Sequence, residues 1–421
     1  MNFGRSIPPA AAPITFRDLL RGLAGLFRGE RRLKQLEQQL QEFFGVKHVF
    51  LVSSGKAALL LILAALKSLS KRKRVLIPAY TCFSVPSAVV KAGLTVSCCD
   101  IDPRTLDFDY HRLKDSLTDD TLCVVPTHLL GLPSDVERVK DLCERNGIFV
   151  VEDAAQAMGM KHGNRLAGTL GDVSFFSLGR GKNITCGSGG IIVTNCDSIA
   201  RAIQTEYQKL TPEPLLGVLR NFCEVLGMRL LMDPRLYWLP SGLPFLGLGE
   251  TKFYRNFPVH RMDRVRIGLL SSWQERLRES YAVRSEAAKM FYDHLPPNCK
   301  TIVPPTGAKV FPNRLPVVMR SKRAKADLCA ASKAKGLGIS PLYPSAIPDI
   351  AELKGSFATD QFQGATRISD CLVTLPVHQF VNPNDVERIC RLLEQLHDPT
   401  DEAKVTPSRN SLGHERTSVR A

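Results

Sequence analysis

Residues 148–195, IFVVEDAAQAMGMKHGNRLAGTLGDVSFFSLGRGKNITCGSGGIIVTN, decide the reading of this chain. The stretch opens on an apolar run, IFVVEDA (148–154), and closes on two more, DVSFFSL (172–178) and GGIIVTN (189–195). Short runs rich in Val, Ile and Phe, bounded by Gly, Asn and Asp, read as buried strands. The signal recurs upstream at VFLVSS (49–54), RVLIPA (74–79), LTVSCCDID (94–102) and LCVVPTH (122–128). Helical stretches lie between: KAALLLILAALKSL opened by Gly55, residues 84–92, and DVERVKDLCERN, which Ser134 and Asp135 can cap and Gly147 ends. Apolar strands separated by helices predict an α/β fold with a mainly parallel sheet covered on both faces. Ligands of such sheets sit beyond the carboxyl ends of the strands. The polar residues just after strands are therefore the candidates: Ser54, Gly55, Lys56, Thr81, His128 and residues 152–156.

The chain has 421 residues, 44% apolar and 23% charged, which excludes collagenous and wholly disordered classes and leaves room for two domains. The longest apolar runs, such as Ala57–Leu66, reach half of the ~20 residues a membrane span needs, so no spanning helix is expected. No signal peptide is read at the N-terminus. Twelve scattered cysteines without a CxxC pair fit a reducing cytoplasm and offer no metal ligand set. The net charge of +15 attracts polyanions, but no helix-turn-helix, RNP motif or zinc finger is present, so nucleic acid is not expected as a partner.

The pattern divides the chain. Residues 1–44 are expected to be an N-terminal helical segment, with an amphipathic basic helix or two over 16–44 docked on the core. A membrane-surface helix is the alternative there. Residues 45–258 read as the large α/β domain, carrying an apolar insertion at 213–250. Burial of that insertion in a core or oligomer interface is expected, and a membrane- or partner-facing patch is the alternative. A smaller α+β domain spans 259–397 and starts on one long helix, 262–294. The polar tail 398–421 is expected to be disordered.

Lys182 follows a predicted strand between Gly179 and Gly181. A lysine at the carboxyl edge of a sheet can form a Schiff base with a carbonyl compound. Asp153 ends the strand IFVVED, where a desolvated carboxylate needs a cationic partner. A pyridinium nitrogen is one, and an arginine elsewhere in the fold is another. Pyridoxal phosphate enzymes pair a lysine with such an aspartate. The turn SSGKAALL (53–60) opens a helix whose free N–H groups suit a phosphate. Ser177 could add a hydroxyl there, and Gln156 could bond a ring oxygen.

In these residues the chain resembles the DegT/StrS-type sugar aminotransferases, a branch of the aspartate-aminotransferase-like (fold type I) pyridoxal phosphate enzymes. The likeness runs from about Phe43 to Leu396 through FFGVKHVFLVSSGKAALLLILAAL, VLIPAYTCFSVPSAVVKAG, DIDPRTLDFD, PTHLLGLPSDVERV, the EDAAQ…AGTLGD…KN…GG run and TLPVH. It implies transfer of an amino group from an amino acid, L-glutamate, to a nucleotide-linked keto sugar for polysaccharide or related glycan synthesis. It also implies a homodimer with the site between subunits. Lys182 would be catalytic and carry the cofactor, Asp153 would pair with the ring nitrogen and Gln156 would contact the ring oxygen. Ser54, Gly55, Lys56 and Ser177 would surround the phosphate. Cys82 stands where an aromatic ring usually stacks on the cofactor, with Phe83 next to it as a substitute. Lys56 replaces a threonine, Ser188 a glutamate, and Val259 an asparagine that contacts the partner subunit's phosphate. Some relatives are sugar dehydratases with histidine in place of Lys182, so the lysine favours amino transfer. A catalytically weakened binding or regulatory protein is the remaining alternative.

Overall fold

The computed structural model describes residues 4–12, 14–243, 249, 251–302, 304, 307–357 and 362–397. The predicted tail, 398–421, and most of 244–250 lie outside the described residues. The strands are β1 (His48–Val52), β2 (Arg74–Pro78), β3 (Thr95–Cys99), β4 (Thr121–Val124), β5 (Phe149–Asp153), β6 (Lys161–His162), β7 (Arg165–Leu166), β8 (Val173–Ser177), β9 (Gly190–Thr194), β10 (Lys300–Thr301), β11 (Ala308–Lys309), β12 (Arg314–Val318) and β13 (Leu372–Pro376). The helices are α1 (Phe16–Phe44), α2 (Gly55–Leu69), α3 (Ser84–Lys91), α4 (Tyr110–Ser116), α5 (Val136–Glu144), α6 (Asp197–Gln208), α7 (Leu215–Leu231), α8 (Trp238–Ser241), α9 (Arg264–Leu269), α10 (Trp273–His294), α11 (Lys322–Lys335), α12 (Gln363–Cys371) and α13 (Pro383–His397).

Seven strands form one sheet in the order β1-β9-β8-β5-β4-β2-β3. Only β9 runs against its neighbours; the pairs β2–β3, β2–β4, β4–β5 and β5–β8 are parallel. β1 therefore points the same way as β8, and the carboxyl ends of β1, β2, β5 and β8 share one edge. The strands are apolar on both faces because both are covered. Val75, Ile77 and Val151 join α2 and α3 in one core cluster, whereas Leu76 and Val150 join Val136 and Val139 of α5 in another. Alternate side chains of a strand point to opposite faces, so one register serves both layers.

The C-terminal sheet, β10-β12-β13, is antiparallel. Its Leu315, Val317, Val373 and Leu375 pack with Phe291 of α10, Leu328 of α11 and Ile389 of α13. Ile7 joins this cluster, and Arg5 pairs with Asp385 at 2.6 Å. The first described residues thus reach across to the C-terminal part of the chain.

One local expectation is narrowed and two are corrected. Residues 16–44 are one helix, started by a Thr15–Asp18 capping box and ended by Gly45 at φ +65°. The expected helix over 262–294 is broken at 270–272. There the Ser271 hydroxyl bonds the Gly268 carbonyl and the Ser272 hydroxyl donates to Asp18 Oδ1, drawing the chain off the helical path. Ser134 does not cap α5, because its hydroxyl donates to Asp107 Oδ1 at 2.6 Å; Asp135 caps alone, accepting from the Arg138 N–H.

Candidate active site

β1 ends at Val52 and the chain turns through Ser53 and Ser54 into α2. Ser54 Oγ accepts the Ala57 N–H at 3.2 Å, fixing the first turn. Gly55 has no substitute here: a Cβ on it would stand 2.8 Å from Ser177 Cβ. A Cβ on Gly190 would stand 2.3 Å from the Ser54 carbonyl oxygen. These approaches bring the start of α2, the end of β8 and the start of β9 together. Ser177 Oγ accepts the Gly179 N–H at 3.3 Å.

Lys182 lies in the loop after β8, half-buried, with its carbonyl held by Arg284 Nη2 at 3.2 Å. Burial holds its ammonium below the ordinary lysine range, against the opposing pull of Cys82 and Asp153. Asp153 is buried at the carboxyl end of β5. Burial pushes its carboxyl up, opposed by the Ala155 N–H and by the charges of Lys182 and His128. Among the described residues its side chain has one hydrogen bond, from Ala155 N at 3.0 Å, and no ion pair.

Glu152, next on the strand, faces the other way. It accepts from His128 Nε2 at 2.7 Å, from the backbone of Gly168, Leu170 and Gly171, and from Ser174 Oγ. Ser134 N donates to His128 Nδ1, so Nε2 carries the ring hydrogen. His128 and Glu152, both candidates by position, form a buried brace.

Gln156 is engaged on both sides of its amide. Oε1 accepts the Leu130 N–H at 3.1 Å and Nε2 donates to the Tyr343 hydroxyl at 2.9 Å. Cys82 is half-buried, 3.4 Å from Ser84 Oγ. Phe83 is buried in the main core cluster. The Lys56 ammonium sits over the rings of Tyr254 and Phe257, 5.1 and 4.7 Å from their centroids. A cavity of about 660 Å³ joins Ser54, Lys56, Cys82, Gly179 and Arg180. Arg220, Asn221 and Glu224 of α7 line it too, so the predicted insertion supplies one wall. A larger cavity of about 780 Å³ around Asp107 and Arg112 contains none of the predicted site residues.

Three neighbours escaped the sequence reading. Tyr343 bonds Gln156, and its ring lies 5.4 Å from that of Tyr80. Arg314, at the start of β12, has no ion pair among the described residues, and burial lowers its pKa; its charge reaches Lys182. Arg314 and Tyr343 lie more than 130 residues beyond Lys182, and no motif near either one advertised it.

The arrangement fits pyridoxal phosphate. A buried carboxylate with no ion pair among the described residues lies within reach of the Lys182 charge, and a helix start packed through glycine offers free N–H groups and the Ser177 hydroxyl. The Thr81 hydroxyl, beside Cys82, is buried with no partner.

Comparison with known proteins agrees with this reading. The sequence matches the DegT/DnrJ/EryC1/StrS aminotransferase family over residues 22–394. It is 27% identical over 380 residues to the GDP-perosamine synthase of Caulobacter vibrioides, covering 87% of this chain and 90% of that protein. Five further relatives match at 31–34% identity over 39–44% of this chain and 44–50% of their own lengths. The fold is shared with PseC of Helicobacter pylori, an aminotransferase of pseudoaminic acid biosynthesis, at a TM-score of 0.74 and 18% identity, covering 93% of this chain and 99% of that one. It is shared also with the E. coli GDP-4-keto-6-deoxy-D-mannose-3-dehydratase with bound hydrated PLP, at a TM-score of 0.73 and 20% identity, covering 93% and 100%. The chain belongs to the DegT/DnrJ/EryC1/StrS aminotransferase family.

Proposed function

We propose that the chain is a pyridoxal phosphate-dependent aminotransferase that moves an amino group from L-glutamate to a keto sugar on a nucleoside diphosphate, for polysaccharide or related glycan synthesis. The observation that carries this reading is the lysine of lowered basicity, Lys182, set near the uncompensated carboxylate of Asp153 at one sheet edge. The names of the relatives, a GDP-perosamine synthase and an aminotransferase of pseudoaminic acid biosynthesis, point the same way.

When bound, the cofactor supplies an electron-accepting ring that acidifies the Cα–H of the donor. Lys182 would hold the cofactor at rest. Freed, its amine, made less basic by burial, would take a proton from one carbon and return it to another. Asp153 would pair with the ring nitrogen and favour its protonated form. The α2 start, through Ser54, Gly55 and Ser177, takes the phosphate, with Lys56 as a nearby cation. Cys82 and Gln156 would hold the ring, Gln156 through its side-chain amide. Arg314 is offered to the carboxylate of the donor, and Arg180, at the cleft, to the diphosphate of the acceptor.

We further propose a cytoplasmic homodimer whose second copy completes the cleft, and two units, 45–258 and 259–397. The separate apolar cluster around β12 and β13 supports the latter. The loaded enzyme is tested with ¹⁵N-glutamate and GDP-4-keto-6-deoxy-D-mannose, with products read by mass spectrometry. A ¹⁵N-labelled amino sugar is the expected product. A deoxy sugar with released ammonia would instead make the chain a dehydratase.

A further inference from the structure

α1 is docked by one face and bare on another. Gly22, Gly25 and Gly29 recur along one stripe and lie against α9, where a Cβ on Gly25 would stand 2.2 Å from the Arg264 carbonyl oxygen. Phe16, Leu20, Leu23 and Phe27, spaced i, i+4, i+7 and i+11, form a second stripe. They are 53, 67, 41 and 90% exposed. α7 behaves alike: Asn221 and Val225 are buried, while Leu215, Leu216 and Leu219 are 82, 78 and 55% exposed. The helices meet where the Arg229 guanidinium lies 4.5 Å from the centroid of the Phe16 ring.

Charge says what covers this surface. Between residues 16 and 34 there are six basic side chains and two acids, of which Asp18 is buried. A second copy joined face to face about a twofold axis would set this positive helix against itself. Anionic phospholipid headgroups would meet the same arginines with opposite charge, and the bilayer interface would take up the Leu and Phe side chains. No helix among the described residues is long and apolar enough to cross a membrane.

We propose that the outer faces of α1 and α7 form a peripheral docking surface for an anionic phospholipid membrane. Because Arg220, Asn221 and Glu224 of α7 line the site cavity, docking sets the cleft beside the bilayer. The inference does not depend on the reaction proposed above.

The test is co-sedimentation of the cofactor-loaded protein with vesicles of phosphatidylcholine alone or with 30% phosphatidylserine. Binding to the serine-containing vesicles is expected, roughly tenfold or more tighter than to phosphatidylcholine, and weakened by 0.5 M salt. The double variant Leu20→Glu/Phe27→Glu should lose about tenfold or more of that binding, with oligomeric state by light scattering and turnover of soluble substrate unchanged. Should that variant fail to fold, Arg17→Glu/Arg31→Glu reads the same surface through charge. Absence of wild-type binding, or equal binding by wild type and a folded variant, overturns the proposal. A variant that alters the oligomeric state also overturns it and assigns the face to a second copy.

Discussion

On one side of β5, Glu152 accepts hydrogen bonds from His128, three backbone N–H groups and Ser174. On the other, Asp153 accepts one, from Ala155, and looks toward Lys182. Both carboxylates are buried. Burial pushes both up, yet the donors around Glu152, His128 foremost, hold it below its ordinary value, while Asp153 stays above its own. Burial alone therefore does not mark a functional carboxylate; what marks Asp153 is the charge that the protein leaves uncompensated.

The comparison breaks most visibly at Lys182. Lys182→Ala should lower amino transfer by about 10⁴-fold in a single-turnover assay while the circular dichroism spectrum stays that of the wild type. Glu152→Gln should cost about 3 kcal/mol of stability in urea denaturation, because it turns an ionic brace with five donors into a mismatched amide. Its turnover per folded molecule should stay within a few-fold of wild type. Asp153→Asn reverses that pattern: turnover falls by about 10²-fold while the fold survives. Gly55→Ala, which drives a methyl group into Ser177, should weaken cofactor binding by about tenfold in a fluorescence titration.

The smallest effect is the sharpest test of sign. The Glu152 carboxyl is lowered in the fold, so its stabilisation is present above pH 4.5 and is lost as pH falls through the folded value. Asp153 is raised, so ionising it costs the fold, and the cost vanishes as pH falls through the raised value. Without cofactor, Asp153→Asn should therefore be more stable than wild type at pH 7, with the gain disappearing in acid. A gain that grew on acidification would reverse the assignment.

Much of this site lies on the surface of the sequence because strands and the turns after them are local. The β-branched runs, the Ser54-Gly55 turn, Asp153 and Lys182 could all be read within about a dozen residues of their own context. The bracing role of Glu152 could not be read, since its donors come from residues 128 and 168–174. Arg314 and Tyr343 arrive from distant strands and loops through tertiary packing. The break at 270–272 depends on Asp18, some 250 residues away. The stripe of α1 left two readings open, because the same leucine and phenylalanine spacing serves a buried face or an exposed one, and the glycine contact with α9 shows which face is docked.

The most direct measurement is the visible absorption spectrum of the protein with pyridoxal phosphate, before and after L-glutamate, for wild type and Lys182→Ala. A visible band that bleaches on adding glutamate is expected in wild type, with neither band nor bleaching of the wild-type kind in the variant. A wild-type band untouched by glutamate, or identical behaviour of the two proteins, would contradict it.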